Sequence, residues 1–456
     1  MMWRKSLLIL AAVLYCEFGM ILTSCQSTDT ADGPAGELQR QAFLGVDLGS
    51  PSQAKAGVEV KRITNAEVAT KTGLRAGDRI LRVNGSLLDS FVTYQKIFPA
   101  LRAGETVRFE IVRNDQVLAL TTTLSALPRE QLKGAHTIYD SVLTDFGSRL
   151  RMIVTRPQNA QGQIATGKLP VVFLVGWLSC DSVEYPFGPS DGFGQAPHDI
   201  ATKSGVVLVR TDKPGVGDSE GPGCVECDFQ TELAGYRAAF RALKRYDFVD
   251  PDRIFILGLS NGGGFAPLVP QNEKVRGYII AGGWAKTWFE HMIEHERRRL
   301  QLSGKNQGEI KDLMKGYAEF YTDYLVRKMT PREVLRAKPH LATLWYDMPE
   351  HQYGRPASFY HQLQDLNLAS AWEKVDAPVL ILYGEYDWIM SRADHELIAE
   401  IVNSKHPGRA TFVELPKTDH LFMTYDNIGA AFEGATPGRY NPSVTEQILK
   451  FLQSNR

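Results

Sequence analysis

The sequence predicts an α/β protein: a mostly parallel sheet with a helical insertion, and a small β-rich domain ahead of it. Three observations predict this. From residue 170 onward short apolar strands alternate with helical stretches, as in a sheet covered on both faces. Residues 40–128 carry period-2 strands and tight-turn signals instead. Residues 284–376 break the alternation with a helical, aromatic-rich pattern. The 456 residues suit two or three domains of roughly 150 each. Lys and Arg total 51 against 52 Asp and Glu, so the basic surplus of a nucleic-acid binder is missing and no nucleic-acid partner is expected. Five cysteines are too few for a disulfide scaffold.

The elements follow in chain order. Arg4 and Lys5 precede an apolar run from Leu7 to Cys16, the order of charge and hydrophobicity in a secretory signal. The segment ends Leu22-Thr23-Ser24-Cys25, which resembles the bacterial lipobox; the resemblance implies acylation of Cys25 at the mature N-terminus. Residues 1–25 are read as the signal and 26–39 as a polar linker. An uncleaved anchor over residues 6–24 is the alternative, and Glu17 in its middle weighs against it by about 2–3 kcal/mol. Both readings give an exported, membrane-anchored protein on the periplasmic or cell-surface side. No later run is long and apolar enough to span a bilayer.

Within residues 40–128, Gly73 and Gly77 bracket a turn, Ile80, Leu81 and Val83 form a short strand, and Asn84-Gly85 is a hairpin signal because both positions tolerate positive φ. A helix over Ser90–Leu101 and strands over Thr106–Val112 and Val117–Thr121 follow. The run Gly73-Leu74-x-x-Gly77-Asp78-x-Ile80-Leu81-x-Val83-Asn84-Gly85 resembles a bacterial PDZ domain. The resemblance implies that Phe43, Leu44, Gly45 and Val46 form a loop whose backbone N–H groups hold a peptide carboxyl terminus, with β-augmentation along a strand edge. A spacer domain that binds nothing is the alternative.

The chemistry sits in residues 137–456. Strands are predicted at Pro170–Val175, Gly205–Arg210, Arg253–Gly258, Val275–Ala281, Val379–Tyr383 and Ala410–Leu415, with helices at Glu232–Lys244, Gly262–Val269, Ala393–Val402 and Ser443–Leu452. Gly258-Leu259-Ser260-Asn261-Gly262 lies between a buried strand and a helix. A sharp turn there lifts the Ser260 hydroxyl clear of the sheet and points the Asn261 N–H at a developing oxyanion. Asp387 follows a strand end and His420 a later one, giving the chain order Ser, Asp, His. His395 in a helix and His406 in a turn are the rival bases; Glu385 and Asp419, read as surface turn residues, are the rival acids. Phe173-Leu174-Val175-Gly176-Trp177-Leu178 is a strand-to-loop turn; in the α/β-hydrolase fold that these motifs resemble, such a turn implies a second oxyanion donor, here the Trp177 N–H, with Leu178 as the alternative. The glycine-rich run Asp212-Lys213-Pro214-Gly215-Val216-Gly217-Asp218-Ser219 is read as a structural turn; it lacks the Gly-Lys-Ser/Thr ending of a phosphate loop.

Together these motifs resemble serine esterases and prolyl-oligopeptidase-like peptidases of the α/β-hydrolase fold. The departure is Val175-Gly176 in place of a His-Gly oxyanion pair. The resemblance implies hydrolysis of a small-molecule ester, or of a peptide, through an acyl-enzyme on Ser260, without metal or cofactor. A peptidase acting on free N-termini would call on Glu290, Glu294 or Glu296; a peptide-binding scaffold with an inactive hydrolase fold is the third reading. Residues 284–376 would be a cap over the site. In that fold the loops after the first two of these strands are neighbours, so Cys180–Cys224 is the expected disulfide, with Cys180–Cys227 and Cys224–Cys227 as alternatives. A redox role for Cys224-x-x-Cys227 is disfavoured because no helix is predicted to start there. His291-x-x-Glu294-His295 matches a zinc pattern, but it lies in the charged run Glu290–Arg299 and is read as a solvated helix.

Overall fold

The computed structural model describes residues 35–49, 57–89 and 91–455. The signal segment, Cys25 and Ser90 lie outside the described residues. No described helix is long and apolar enough to cross a membrane.

The first domain has strands β1 (Ala42–Phe43), β2 (Val46–Leu48) and β3 (Val58–Ile63), helix α1 (Ala66–Thr72), β4 (Arg79–Val83), β5 (Ser86–Leu87), helix α2 (Phe91–Ile97), β6 (Thr106–Arg113), β7 (Gln116–Thr123) and β8 (Ser125–Ala126). β2, β3, β4, β6 and β7 form one sheet in that order, with β5 paired to β4 and β2 at the sheet edge. Asn84 and Gly85 both take positive φ (49° and 83°) in the turn between β4 and β5. Val107, Phe109 and Ile111 alternate inward from β6 into a core with Val58, Val60 and Ile80. α2 is shorter than the helix predicted over Ser90–Leu101.

The second domain opens with an antiparallel pair, β9 (Ala135–Leu143) and β10 (Arg149–Pro157), which the sequence reading did not identify. Then come β11 (Leu169–Val175), α3 (Gly192–Lys203), β12 (Val207–Thr211), α4 (Phe229–Arg241), β13 (Val249–Leu259), α5 (Asn261–Phe265) and β14 (Gly277–Ala281). The insertion holds α6 (Trp288–Leu302), α7 (Gln307–Tyr321), α8 (Pro331–Ala337), the hairpin β15 (His351–Gln352) and β16 (Arg355–Pro356), α9 (Ala357–Gln364) and α10 (Leu368–Glu373). β17 (Val379–Gly384), α11 (Arg392–Lys405), β18 (Ala410–Leu415), a short α12 (Ile428–Glu433) and α13 (Pro442–Ser454) complete the chain.

The eight-stranded sheet runs β18-β17-β14-β13-β11-β12-β10-β9. Only β10 is reversed: it is antiparallel to both β9 and β12, while the neighbours from β12 to β18 pair parallel. The strands are buried on both faces, which is why they read as unbroken apolar runs. Val171, Phe173 and Val175 point into one core with α4 and the insertion. Val172 and Leu174 point into the other, with Phe193 and Ile200 of α3 and Ile448 of α13.

The two domains are pinned by charge. Arg40 pairs with Glu184 (3.0 Å) and Asp218 (2.5 Å), and the Gln41 N–H donates to Asp218 Oδ1 (2.7 Å).

Candidate active site

The turn from β13 to α5 is tight, and its glycines have a steric cause. Ser260 stands at φ 54°, ψ −126°, a conformation few L-residues adopt. A Cβ on Gly258 would come within 2.8 Å of the Gly263 Cα, and one on Gly262 within 2.3 Å of the Val175 and Gly176 carbonyl oxygens. The latter contact also shows that the serine turn packs directly on the turn after β11.

The Ser260 Oγ lies 2.8 Å from His420 Nε2, and His420 Nδ1 donates to Asp387 Oδ2 at 2.8 Å. The other Asp387 oxygen accepts from the N–H groups of Ile389 (3.0 Å) and Met390 (2.8 Å), which fixes the carboxylate behind the ring. All three residues are buried. Burial disfavours the charged imidazole, but the charge and hydrogen bond of Asp387 outweigh it and hold the His420 pKa above its ordinary 6.5. The arrangement has the geometry to move a proton from Ser260 to His420 as the oxygen attacks an acyl carbon.

The rival bases and acids lie elsewhere. His395 is buried in α11 against the Ser391 carbonyl (2.8 Å), and His406 sits beside Asp376 (3.4 Å). Glu385 is exposed, as expected. Asp419 corrects its reading: it is buried, and its carboxylate accepts from the N–H groups of Leu421 (2.9 Å) and Met423 (2.8 Å), shaping the loop that carries His420.

Trp177 and Asn261 line one cavity with Ser260 and His420. The Gly176 N–H donates to the Tyr236 hydroxyl (3.1 Å) and is thereby occupied. Lys213, from the glycine-rich run, donates to the carbonyls of Trp177 and Ser179 and fixes this turn. Burial pushes its pKa down to about 8. Gly282, in the left-handed region at φ 64°, passes so close that a Cβ there would meet His420 Cε1 at 2.6 Å. Phe193 of α3 packs edge-on to His420, centroids 5.4 Å apart. The sequence reading identified neither; the Gly282-Gly283 pair right after β14 was the available signal for the first.

The cavity measures about 770 Å³ and is roofed by the insertion. Here the reading of α6 is corrected. His291 and His295 are not on a solvated helix; both are buried and line the cavity. Glu290 and Arg297 are exposed while Glu296 is buried with the two histidines, so averaging over the charged run hid an amphipathic pattern. Among the described residues no group of three or more His, Cys, Asp or Glu is placed to hold a metal ion. Glu290 caps α6 from its first turn, Glu294 pairs with Lys286 (2.6 Å), and Glu296 pairs with Arg299 (2.8 Å), so none of the three is a free carboxylate in the cavity.

Cys180 and Cys224 are joined by a disulfide. Cys227 is a free, buried cysteine. A helix does begin beside it: α4 starts at Phe229, capped by Asp228, contrary to the prediction. Burial nonetheless pushes the Cys227 thiol up to about 12, so it stays protonated.

In the first domain Phe43, Leu44 and Val46 line a groove of about 570 Å³ beside the edge strand β2, with Tyr94 and Phe98 also on its wall. Gly45 is in the left-handed region at φ 71°, where a Cβ would come within 2.7 Å of the Asn65 carbonyl oxygen.

Comparisons agree with this architecture. Residues 171–430 match the model of the alpha/beta hydrolase family, and residues 42–124 match that of the PDZ domain. Esterase EstD of Thermotoga maritima is 20% identical over 290 residues, a match covering 63% of this chain and 63% of that protein, so it spans under two thirds of the relative's length. Among solved structures, Est1E from Butyrivibrio proteoclasticus is 18% identical with a TM-score of 0.41, over 70% of this chain and 99% of that one. The esterase RhEst1 from a Rhodococcus species is 15% identical with a TM-score of 0.40, over 70% and 99%. With its reversed second strand, its serine turn after β13 and a family match over more than half its length, the chain belongs to the alpha/beta hydrolase family and carries a PDZ domain ahead of the hydrolase domain.

Proposed function

We propose that this protein is a serine hydrolase that cleaves carboxylic esters through an acyl-enzyme. The observation that carries the reading is the hydrogen-bonded chain Ser260–His420–Asp387 on the floor of the capped cavity. His420 Nε2 takes the Ser260 proton as Oγ attacks the ester carbonyl. Asp387 holds the ring and stabilises the imidazolium. The N–H groups of Trp177 and Asn261 receive the oxyanion, each such donor being worth about 10²–10³ in kcat. His420 then protonates the leaving alcohol and activates the water that releases the acid. The esterase named in the comparisons and the engagement of all three cap glutamates favour esters over peptides.

The test assays p-nitrophenyl esters of increasing acyl length beside aminoacyl and dipeptidyl p-nitroanilides, with Ser260→Ala as control. Ester turnover that disappears in the variant, with anilides untouched, is expected. Anilide turnover above ester turnover would make the protein a peptidase.

The same proposal has the PDZ groove take a peptide carboxyl terminus, paired along β2 and held at Phe43–Val46. Binding of carboxyl-terminal peptides that is lost on amidation checks this. It also has the chain exported and anchored through acylated Cys25, a reading supported by the Leu22–Cys25 motif and by a disulfide suited to an oxidising compartment. Release of the protein from membranes in Cys25→Ala tests the anchor.

A further inference from the structure

The HxxEH motif of α6 is left unused by the proposed chemistry, although it faces the same cavity. Trp288, His291 and His295 recur at the spacing of one helix face and line the cavity with Ser260 and Asn261. All four of Trp288, His291, His295 and Asn261 are at least nine-tenths buried, with exposures of 2%, 2%, 5% and 1%. The rings adjoin one another: Trp288 is tilted against His291 at 4.8 Å, and His295 stacks on His291 at 6.0 Å and on Trp388 at 5.4 Å. Each ring thus has at least one aromatic neighbour.

These cavity-lining residues also hold unmet hydrogen-bonding atoms. Trp288 Nε1, His291 Nδ1, His295 Nδ1 and both side-chain polar atoms of Asn261 have no hydrogen-bond partner among the described residues. With the Tyr185 hydroxyl, six such atoms belong to residues lining this one cavity, whereas buried polar atoms are almost always paired. Burial pushes His291 down to about 4 and His295 well below the ordinary value, so both rings are neutral at neutral pH. The neighbouring charges are spoken for: Glu296 by Arg299 and the Tyr321 and Tyr346 hydroxyls, Lys286 by Glu294 and Asp394, and Arg298 by the Trp388 and Ile389 carbonyls with Glu294 at 3.9 Å. An ionic group would find no free counter-charge on this face. A hydroxyl, which donates and accepts at once, matches both an indole N–H and an imidazole whose second nitrogen is an acceptor.

We infer that Trp288, His291, His295 and Asn261 form a specificity site for an uncharged hydroxyl group carried by an otherwise apolar part of the ester. The inference rests on the ester-hydrolase reading above. The hydroxyl can belong to the acyl or to the alcohol half, and the experiment separates the two.

The acyl arm compares ethyl para-hydroxyphenylacetate with ethyl phenylacetate, and the alcohol arm compares para-hydroxybenzyl acetate with benzyl acetate; meta isomers are included in both. Sites built around a substrate hydroxyl reject the analogue lacking it, so kcat/KM is expected to favour a hydroxylated ester by about tenfold or more in one arm. That ratio should fall towards one in His291→Phe and in His295→Phe, which keep an aromatic ring but remove the nitrogens, and should shrink in Trp288→Phe. Titration calorimetry of the same esters on Ser260→Ala reads the preference without turnover. If no ester is hydrolysed but the hydroxylated one still binds tighter, and His295→Phe abolishes the difference, the ester reading fails and the specificity site stands. Equal kcat/KM and equal binding for the paired esters in both arms, or variants that lower both members alike, would overturn the inference.

Discussion

Two sets of buried polar residues stand at or near the cavity, one at the junction of the two domains and one on α6, and they are built in opposite ways. Where the PDZ domain meets the hydrolase domain, four buried carboxylates each have an arginine. Glu184 lies against Arg40 and Arg151, Asp218 against the same two, Asp212 against Arg151, and Glu130 against Arg210. The Tyr139 hydroxyl adds a 2.6 Å bond to Glu184. On α6, beside the Glu296–Arg299 pair, Trp288, His291 and His295 are neutral and carry polar atoms without a partner. The difference teaches what each set is for. Paired buried charges hold backbone segments in one arrangement, because separating them leaves an uncompensated charge. Unpaired neutral groups at a cavity wall await a partner from outside. Glu184 belongs to the paired set and also lines the cavity, so the ion network braces the active-site wall from behind.

The strongest way to break this contrast is Arg151→Ala. It strips the shared cation from Glu184, Asp212 and Asp218, and loss of one partner of a buried pair costs about 3–5 kcal/mol. Urea unfolding should show a loss of that size, whereas His295→Phe on α6 should show a far smaller one. Arg40→Ala should cost less, about 1–3 kcal/mol, because Arg151 still faces both of its carboxylates. Its distinguishing readout is proteolysis: the PDZ domain should be cleaved from the hydrolase domain faster than in the parent.

Lys213 sharpens the comparison, since it is a buried cation that positions carbonyls rather than pairing with a carboxylate. Lys213→Met should lower kcat about tenfold, roughly 1.4 kcal/mol of barrier, with KM little changed, because the turn bearing the Trp177 N–H loosens.

The smallest effects are read from pH. The His420 pKa is raised, so its protonated form stabilises the fold below 6.5 and that stability is lost as pH rises through the folded value. Activity does the reverse and appears over the same rise, because the base must be neutral. For Lys213 the folded pKa is depressed from 10.5 to about 8, so between these values the unfolded chain binds the extra proton and stability contributed by this group rises with pH. Activity should fall through about 8 as the ammonium is lost. An alkaline limb near 8 that vanishes in Lys213→Met checks the assignment.

Much of this was legible in the sequence because it is local. The serine turn needs its glycines within two residues of Ser260, and the strand-end positions of Asp387 and His420 follow from apolar runs just ahead of them. The missing pieces are those whose signal is spread or contradictory. α3 contains Gly192, Gly194 and Pro197, which argue against a helix, and tertiary packing of Phe193 and Ile200 overrides them. β9 and β10 carry Asp140 and Arg151 at buried positions, which look like surface residues until Tyr246, Arg245 and the acidic loops arrive from far along the chain. The inward face of α6 was visible as Trp288, His291, Met292 and His295 at helical spacing, but charged neighbours masked it.

The most direct test of the central claim is covalent labelling by a fluorophosphonate, followed by peptide mapping. One adduct per chain is expected, on the peptide bearing Ser260, absent in Ser260→Ala and formed far more slowly in His420→Ala. No adduct, or an adduct that persists in Ser260→Ala, would contradict it and leave the PDZ groove as the place to look for function.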